Sequence, residues 1–124
     1  MRIVSGGQTG VDRAALDVAI KNGIECGGWC PAGRLDEFGR IPERYPVREL
    51  PNAGPAERTL QNVIDSDATV IFHRGEPAGG TTYTLESCRN QQRPFLLIDA
   101  AETSTNEAAK SLAEFVTTVK IQIL

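Results

Sequence analysis

Five consecutive residues, Gly6-Gly7-Gln8-Thr9-Gly10, separate two apolar patterns in the stretch IVSGGQTGVDRAALDVAI. A loop of this kind between a strand and a helix can hold an anion. Its backbone N–H groups, from Gly7 to Asp12, lie at or just before a helix N-terminus. Free donors and the positive end of the helix dipole favour negative charge there. Glycines let the backbone approach a ligand with no Cβ in the way, and Gln8 and Thr9 add side-chain hydrogen bonds. The spacing departs from the standard phosphate signatures. It lacks the Lys-Ser/Thr of a P-loop, and it reads Gly-Gly-x-x-Gly instead of Gly-x-Gly-x-x-Gly. A plain turn with Thr9 and Asp12 as helix caps is the competing account.

A second loop, AGGTTYT at residues 78–84, also follows an apolar run and opens a helix. Gly79 and Gly80 leave the backbone open, and Thr81, Thr82 and Thr84 offer hydroxyls or caps. Two such turns on one sheet predict a shared rim that binds a small anionic ligand. The stretch GGWCP brings Trp29 and Cys30 to the end of a strand. The Trp29 indole suits stacking on a pterin or a base, and equally suits core packing. Cys30 could meet a soft metal, but no metal ligand is assigned. Cys26 and Cys30 have no second Cys or His pair to complete a zinc site, and His73 is the sole histidine. Asp12 reads as a helix cap, with Arg13 beside it as a local ion-pair partner. Arg34, Arg40, Arg44 and Arg48 read mainly as solvated charge.

The elements that position these residues follow from periodicity. RIVS is a short β-branched strand, and apolar residues at Val11, Ala15, Leu16, Ala19 and Ile20 predict a helix ending at Asn22-Gly23. IECGGW is a second strand. Residues 31–57 hold five prolines and three glycines with no sustained period, which predicts a long loop able to act as a lid. AERTLQNVIDSD is a helix, ATVIFH a buried strand, and a helix follows the second glycine loop. PFLLID is another strand, NEAAKSLAEFVTTV a helix with Ala108, Leu112, Phe115, Val116 and Val119 inward, and KIQIL a closing strand. Alternation of strands and helices predicts a doubly wound α/β domain over residues 1–124, a Rossmann-like three-layer sandwich with a mainly parallel sheet. Ligands of such sheets bind at the carboxyl ends of the strands, where both glycine loops fall.

Composition narrows the function classes. A net charge of −3 with no Lys/Arg block argues against nucleic acid as a partner, and no apolar run is long enough to span a membrane. The N-terminus shows no signal-peptide pattern, and three cysteines are an odd set, so a cytoplasmic protein with reduced thiols is expected.

Taken together, SGGQTGVDRAALD, GGWCPAGR, IPERYPVREL, RTLQNVIDSDATVIF and GGTTYT resemble the molybdenum-cofactor carrier family over nearly the whole chain. That family is Rossmann-like and related to lysine-decarboxylase-like proteins, among them nucleotide phosphoribohydrolases. The resemblance implies a carrier for the molybdenum cofactor, or a related phosphorylated pterin- or nucleotide-like ligand, and a homodimer or larger homo-oligomer. Similarity to the phosphoribohydrolases implies that Arg58, eight residues before Ser66-Asp67-Ala68, matches their arginine. Gly79 and Gly80 match their paired glycines, and Glu86 their catalytic glutamate. Thr59 stands where they have Lys, and Ala78, Thr82 and Tyr83 replace their Pro, Gly and Thr. Arg58 would hold a phosphate or carboxylate, Asn62 one turn on would share its contacts, and Glu86 would steer a ribose hydroxyl or a water. An N-glycosidase acting on nucleoside 5′-monophosphates through Glu86 and Arg58 is the enzymatic alternative, and a non-catalytic nucleotide sensor a third. Relatives continue past the last strand into a Gly-Pro segment, so ligand groups supplied there are expected to lie outside this sequence.

Overall fold

The computed structural model describes residues 1–124. Its elements run in the order β1 (Arg2–Val4), α1 (Val11–Lys21), β2 (Glu25–Cys30), β3 (Leu35–Asp36), β4 (Gly39–Arg40), β5 (Val47–Glu49), α2 (Pro55–Ile64), β6 (Thr69–His73), α3 (Gly80–Asn90), β7 (Phe95–Asp99) and α4 (Thr105–Val119). Strand β2 lies between β1 and β5, parallel to both, and β6 pairs in parallel with β7. The residues after α4 connect these two groups. Main-chain bonds join Arg2 and Val4 to Gln122 and Leu124, while the Asp67 N–H, just ahead of β6, donates to the Ile123 carbonyl. The Asp67 carboxylate in turn accepts the N–H groups of Gln122 and Ile123 at 3.0 and 2.9 Å. The expected closing strand is thus a single parallel bridge, Arg2 to Ile123, in the expected place.

Local sequence accounts for most element ends. Helix α1 buries Leu16 and Ala19 and stops where Gly23 takes a positive φ. Helix α4 starts at a reciprocal cap: Ser104 Oγ accepts the Glu107 N–H, and Glu107 Oε1 accepts the Ser104 N–H. Its apolar face is only half buried, and Val119 points outward at 39% exposure, against the expected inward face.

Residues 31–57 are not the featureless loop that their prolines suggest. They contain β3, β4 and β5, and Ile41, Tyr45 and Val47 join Leu16 and Cys30 in the main apolar cluster. Arg34 organises the segment. It is buried, not solvated as expected, and its guanidinium donates to the carbonyls of Ile41, Pro42, Tyr45 and Val47. Such acceptors let a charge sit inside the fold without an acidic partner. Tyr45 lies between the guanidinium groups of Arg13 and Arg44, at 4.7 and 4.6 Å from its ring centre, and its hydroxyl donates to Asp17. The segment expected as a lid is therefore anchored in the fold through Arg34, Ile41, Tyr45, Val47 and Ala53. Its β3–β4 hairpin projects, with Phe38 at the tip 85% exposed.

Candidate functional site

Strand β1 ends at Val4, and the chain turns through Ser5–Gly10 into α1. Gly28 makes this turn possible: an ideal Cβ there would lie 2.2 Å from the Ser5 carbonyl oxygen, and its φ of +136° suits glycine alone. Inside the turn, two of the amides already have partners. The Gly7 N–H donates to Ser5 Oγ at 3.2 Å and the Gln8 N–H to Asp12 Oδ2 at 3.4 Å. Ser5 Oγ donates to the Asp12 carbonyl. Arg13 binds the Gly7 carbonyl and pairs with Asp36 at 2.7 Å, while Gln8 and Thr9 reach the hairpin at Leu35 and Glu37. Gly10 is the N-cap of α1 and no side chain caps it, so neither Thr9 nor Asp12 takes the expected capping role. Asp12 sits in the first turn and reaches back to the loop.

Arg58 lies on this loop. An ideal Cβ at Gly6 would be 2.2 Å from Arg58 Nη1 and 2.8 Å from Cζ, so the guanidinium rests where a side chain of residue 6 would be. Its charged neighbour is Asp12, whose Oδ2 is 3.7 Å from Nη1, beyond hydrogen-bond reach. The Arg58 side chain is 13% exposed, and its Nε is buried with no partner. The contrast with Arg34 is direct: one arginine is saturated with carbonyls, the other has donors to give. A buried unmade donor of this kind is costly, by about 1–3 kcal/mol, unless something occupies it.

The same arginine lines a cleft of about 290 Å³ with Pro55, Ala56, Thr59, Gly79, Gly80 and Tyr83. Pro55 and Ala56 begin α2, and Gly79 and Gly80 are the N-cap and first residue of α3, so two helix N-termini converge on it. At the α2 N-terminus the Glu57 carboxylate accepts the Gly54 N–H at 3.0 Å, whereas α3 has no side-chain cap, and nothing stands within 4 Å of an ideal Cβ at Gly79 or Gly80. Arg58 is the one charged residue among those lining the cleft. Backbone donors, two helix dipoles and an arginine with spare N–H groups make this a place for an anion. A second cleft, about 480 Å³, lies across Pro55. It is lined by Gln8, Leu35, Asp36, Glu37, Ala53 and Gly54, among others, with two acids and no base.

The expected site residues therefore divide. Arg58, Gly79 and Gly80 meet in the first cleft, Gly6 seats Arg58, and Gln8 lines the second. Gly7, Thr9 and Gly10 belong to the turn, where the Gly7 N–H is bonded to Ser5 and the Thr9 and Gly10 N–H groups are not bonded within the chain. Thr81 and Thr82 follow the α3 N-terminus but line neither cleft. Asn62 holds the main chain of Trp29, accepting its N–H at 2.8 Å and donating to its carbonyl at 2.9 Å. The Trp29 indole donates to Asp65, the C-cap of α2, roughly 15 Å along the helix from the cleft. Trp29 and Asn62 thus fix β2 against α2, away from the space where a ring would stack. Cys30 is buried in the main apolar cluster, and burial pushes its thiol up. No group of three His, Cys, Asp or Glu side chains is placed to hold a metal ion. Glu86 is exposed on α3, lines neither cleft and has no ion-pair partner. The sequence reading missed Pro55, Ala56, Thr59 and Tyr83 as cleft residues. Tyr83, four residues after Gly79, stands one helical turn above the glycines, a spacing that was legible.

Burial pushes the Asp12 carboxyl up, against the opposing pull of Arg58, the Gln8 N–H and Arg13. The Asp36 carboxyl is held down, first by the hydrogen bond from Arg13 and then by the Phe38 N–H.

Comparison with known proteins matches this arrangement to relatives. The model of the circularly permutated YpsA SLOG family matches residues 3–124. A crystal structure from Syntrophus aciditrophicus SB, described as "Putative molybdenum carrier protein", is 45% identical and superposes with a TM-score of 0.96. The match covers 99% of this chain and 78% of that one. No curated protein matches the chain.

Proposed function

Because this chain belongs to the circularly permutated YpsA SLOG family, we propose that it is a carrier that binds a phosphorylated pterin- or nucleotide-like ligand. The anionic group of the ligand sits in the cleft between the N-termini of α2 and α3. The observation that carries this reading is Arg58: largely buried, the one charged residue lining the cleft, and beside the uncapped N-terminus of α3. The molybdenum cofactor is the cargo we propose, supported by the description of the 45% identical relative as a molybdenum carrier. Its phosphate fits the Arg58 cleft. Its own dithiolene sulfurs hold the metal, and Cys30, sealed in the core, is not required. The second cleft, which shares Pro55 with the first, is the space we propose for the rest of the ligand.

The test is a binding titration with molybdenum cofactor and with a panel of nucleoside 5′-monophosphates, followed by chromatography of the products. Saturable binding without turnover, lost in Arg58→Met, is the expected result. Release of free base and ribose 5-phosphate by the wild-type protein, but not by Glu86→Gln, would overturn the carrier reading.

Two further features belong to the same proposal. Self-association as a homodimer or larger homo-oligomer is proposed on the family resemblance. Sedimentation velocity tests it. A cytoplasmic setting is supported by three free cysteines. No helix is long and apolar enough to cross a membrane.

A further inference from the structure

We propose that Asp12 is the positioning residue for Arg58 and takes up a proton when an anion enters the cleft. The inference rests on the Arg58 reading above and adds a second ionisable group to it.

The geometry makes Asp12 the hinge between the first glycine loop and the anion site. One carboxylate oxygen, Oδ2, faces both the Gln8 N–H at 3.4 Å and Arg58 Nη1 at 3.7 Å. The main chain of Asp12 is itself pinned, because its carbonyl accepts the Ser5 hydroxyl at 2.8 Å. The carboxylate thus draws Arg58 onto the Gly6 backbone from a fixed position, yet stays too far away to hydrogen-bond it. Arg58 is oriented and left with donors to give.

A bound anion changes the balance. It must share one guanidinium with Asp12, and two negative groups around one cation raise the cost of keeping both ionised. The groups facing Asp12 are few. Arg58 comes from α2, Arg13 from the next position of α1, and the Gln8 N–H from the loop. Arg13 is already committed to the Gly7 carbonyl and to Asp36, so it offers Asp12 little when Arg58 turns to the ligand. The relief is protonation: one proton from solvent joins a carboxylate oxygen, and the anion takes the freed attraction of Arg58. Partial burial, with the side chain 36% exposed, biases Asp12 in the same direction.

The experiment uses inorganic sulfate, whose charge stays constant from pH 4.5 to 8, and follows the Arg58 Nε–H resonance by NMR. In the wild-type protein the Nε–H signal shifts on titration, and sulfate affinity falls as pH rises past the Asp12 titration. The limit is about tenfold per pH unit for one linked proton. Asp12→Asn, which keeps size and an N–H-accepting oxygen, binds sulfate with the low-pH affinity of the wild type at every pH. Calorimetry of the wild type in buffers of different ionisation enthalpy reads the proton uptake directly, whatever the variant does to folding. A sulfate-dependent Nε–H shift with flat pH dependence and no proton uptake would overturn the role of Asp12 and leave the Arg58 site standing. Failure of sulfate to move the Nε–H signal at any pH would overturn both.

Discussion

Replacing Gly6 by alanine separates binding from folding in this protein. The new methyl carbon would lie 2.2 Å from Arg58 Nη1 and 2.8 Å from Cζ, whereas ordinary contacts begin near 3.4 Å. One of the two must move by more than an ångström. The flexible end of Arg58 moves more readily than the backbone of residue 6, so the guanidinium leaves its seat. Gly6 is not among the glycines with positive φ, so its backbone accepts alanine. Reduced freedom of the unfolded chain then contributes about 0.4–1 kcal/mol in favour of the variant. The expected outcome is a protein of nearly unchanged stability that binds anions poorly. Loss of one charge-assisted hydrogen bond, about 1.5–3 kcal/mol, weakens sulfate binding roughly 10- to 150-fold. Thermal melting and a sulfate titration measure the two quantities on one sample. Wild-type affinity in Gly6→Ala, with the Arg58 Nε–H resonance where it was, would refute the reasoning. So would a collapse of stability, since it would make Gly6 a packing residue.

Gly28→Ala has the opposite character, because its Cβ would strike the Ser5 backbone at 2.2 Å in a conformation that resists any side chain. A loss of about 3 kcal/mol or more is expected in urea unfolding. Arg34→Met leaves four carbonyls without their donor and costs at least about 3 kcal/mol by the same measurement. The Asp67 carboxyl is held below its ordinary value by the Ile123 and Gln122 N–H groups. Its contribution is therefore complete above the unfolded pKa of about 3.8 and disappears as pH falls through the lower folded value. Asp67→Asn flattens that acid limb in melts followed by circular dichroism. Glu86→Gln leaves sulfate affinity and its pH dependence unchanged in calorimetric titration, since the side chain stands outside the cleft.

The regular elements were legible because their periodicity is strong: α1 and β6 fall where the pattern placed them, although of the α1 apolar positions Leu16 and Ala19 are buried while Val11 and Ile20 stay exposed. The segment from 31 to 57 was not, because its order comes from a charged residue turned inward. Nothing in the local sequence distinguishes Arg34 from Arg40 or Arg48, and burial of a guanidinium depends on carbonyls up to 13 residues away meeting around it. The site shows the same division. Glycines flag backbone open to a ligand, and both loops were found. Their unequal roles were hidden, because the Ser5 hydroxyl and the Asp12 carboxylate take up the Gly7 and Gln8 amides of one loop from within. Trp29 was misdirecting: aromatic type suggests stacking, but its contacts with Asn62 and Asp65 are set by helix packing.

The bridge between β1 and residues 122–124 has a consequence for the order of folding. Arg2 and Ile123, which it pairs, lie some 120 positions apart in the chain. Contacts between such distant residues are slow to close, so this strand pairing is expected late in folding. Until it forms, the edge of β1 that faces it stays open to other strands.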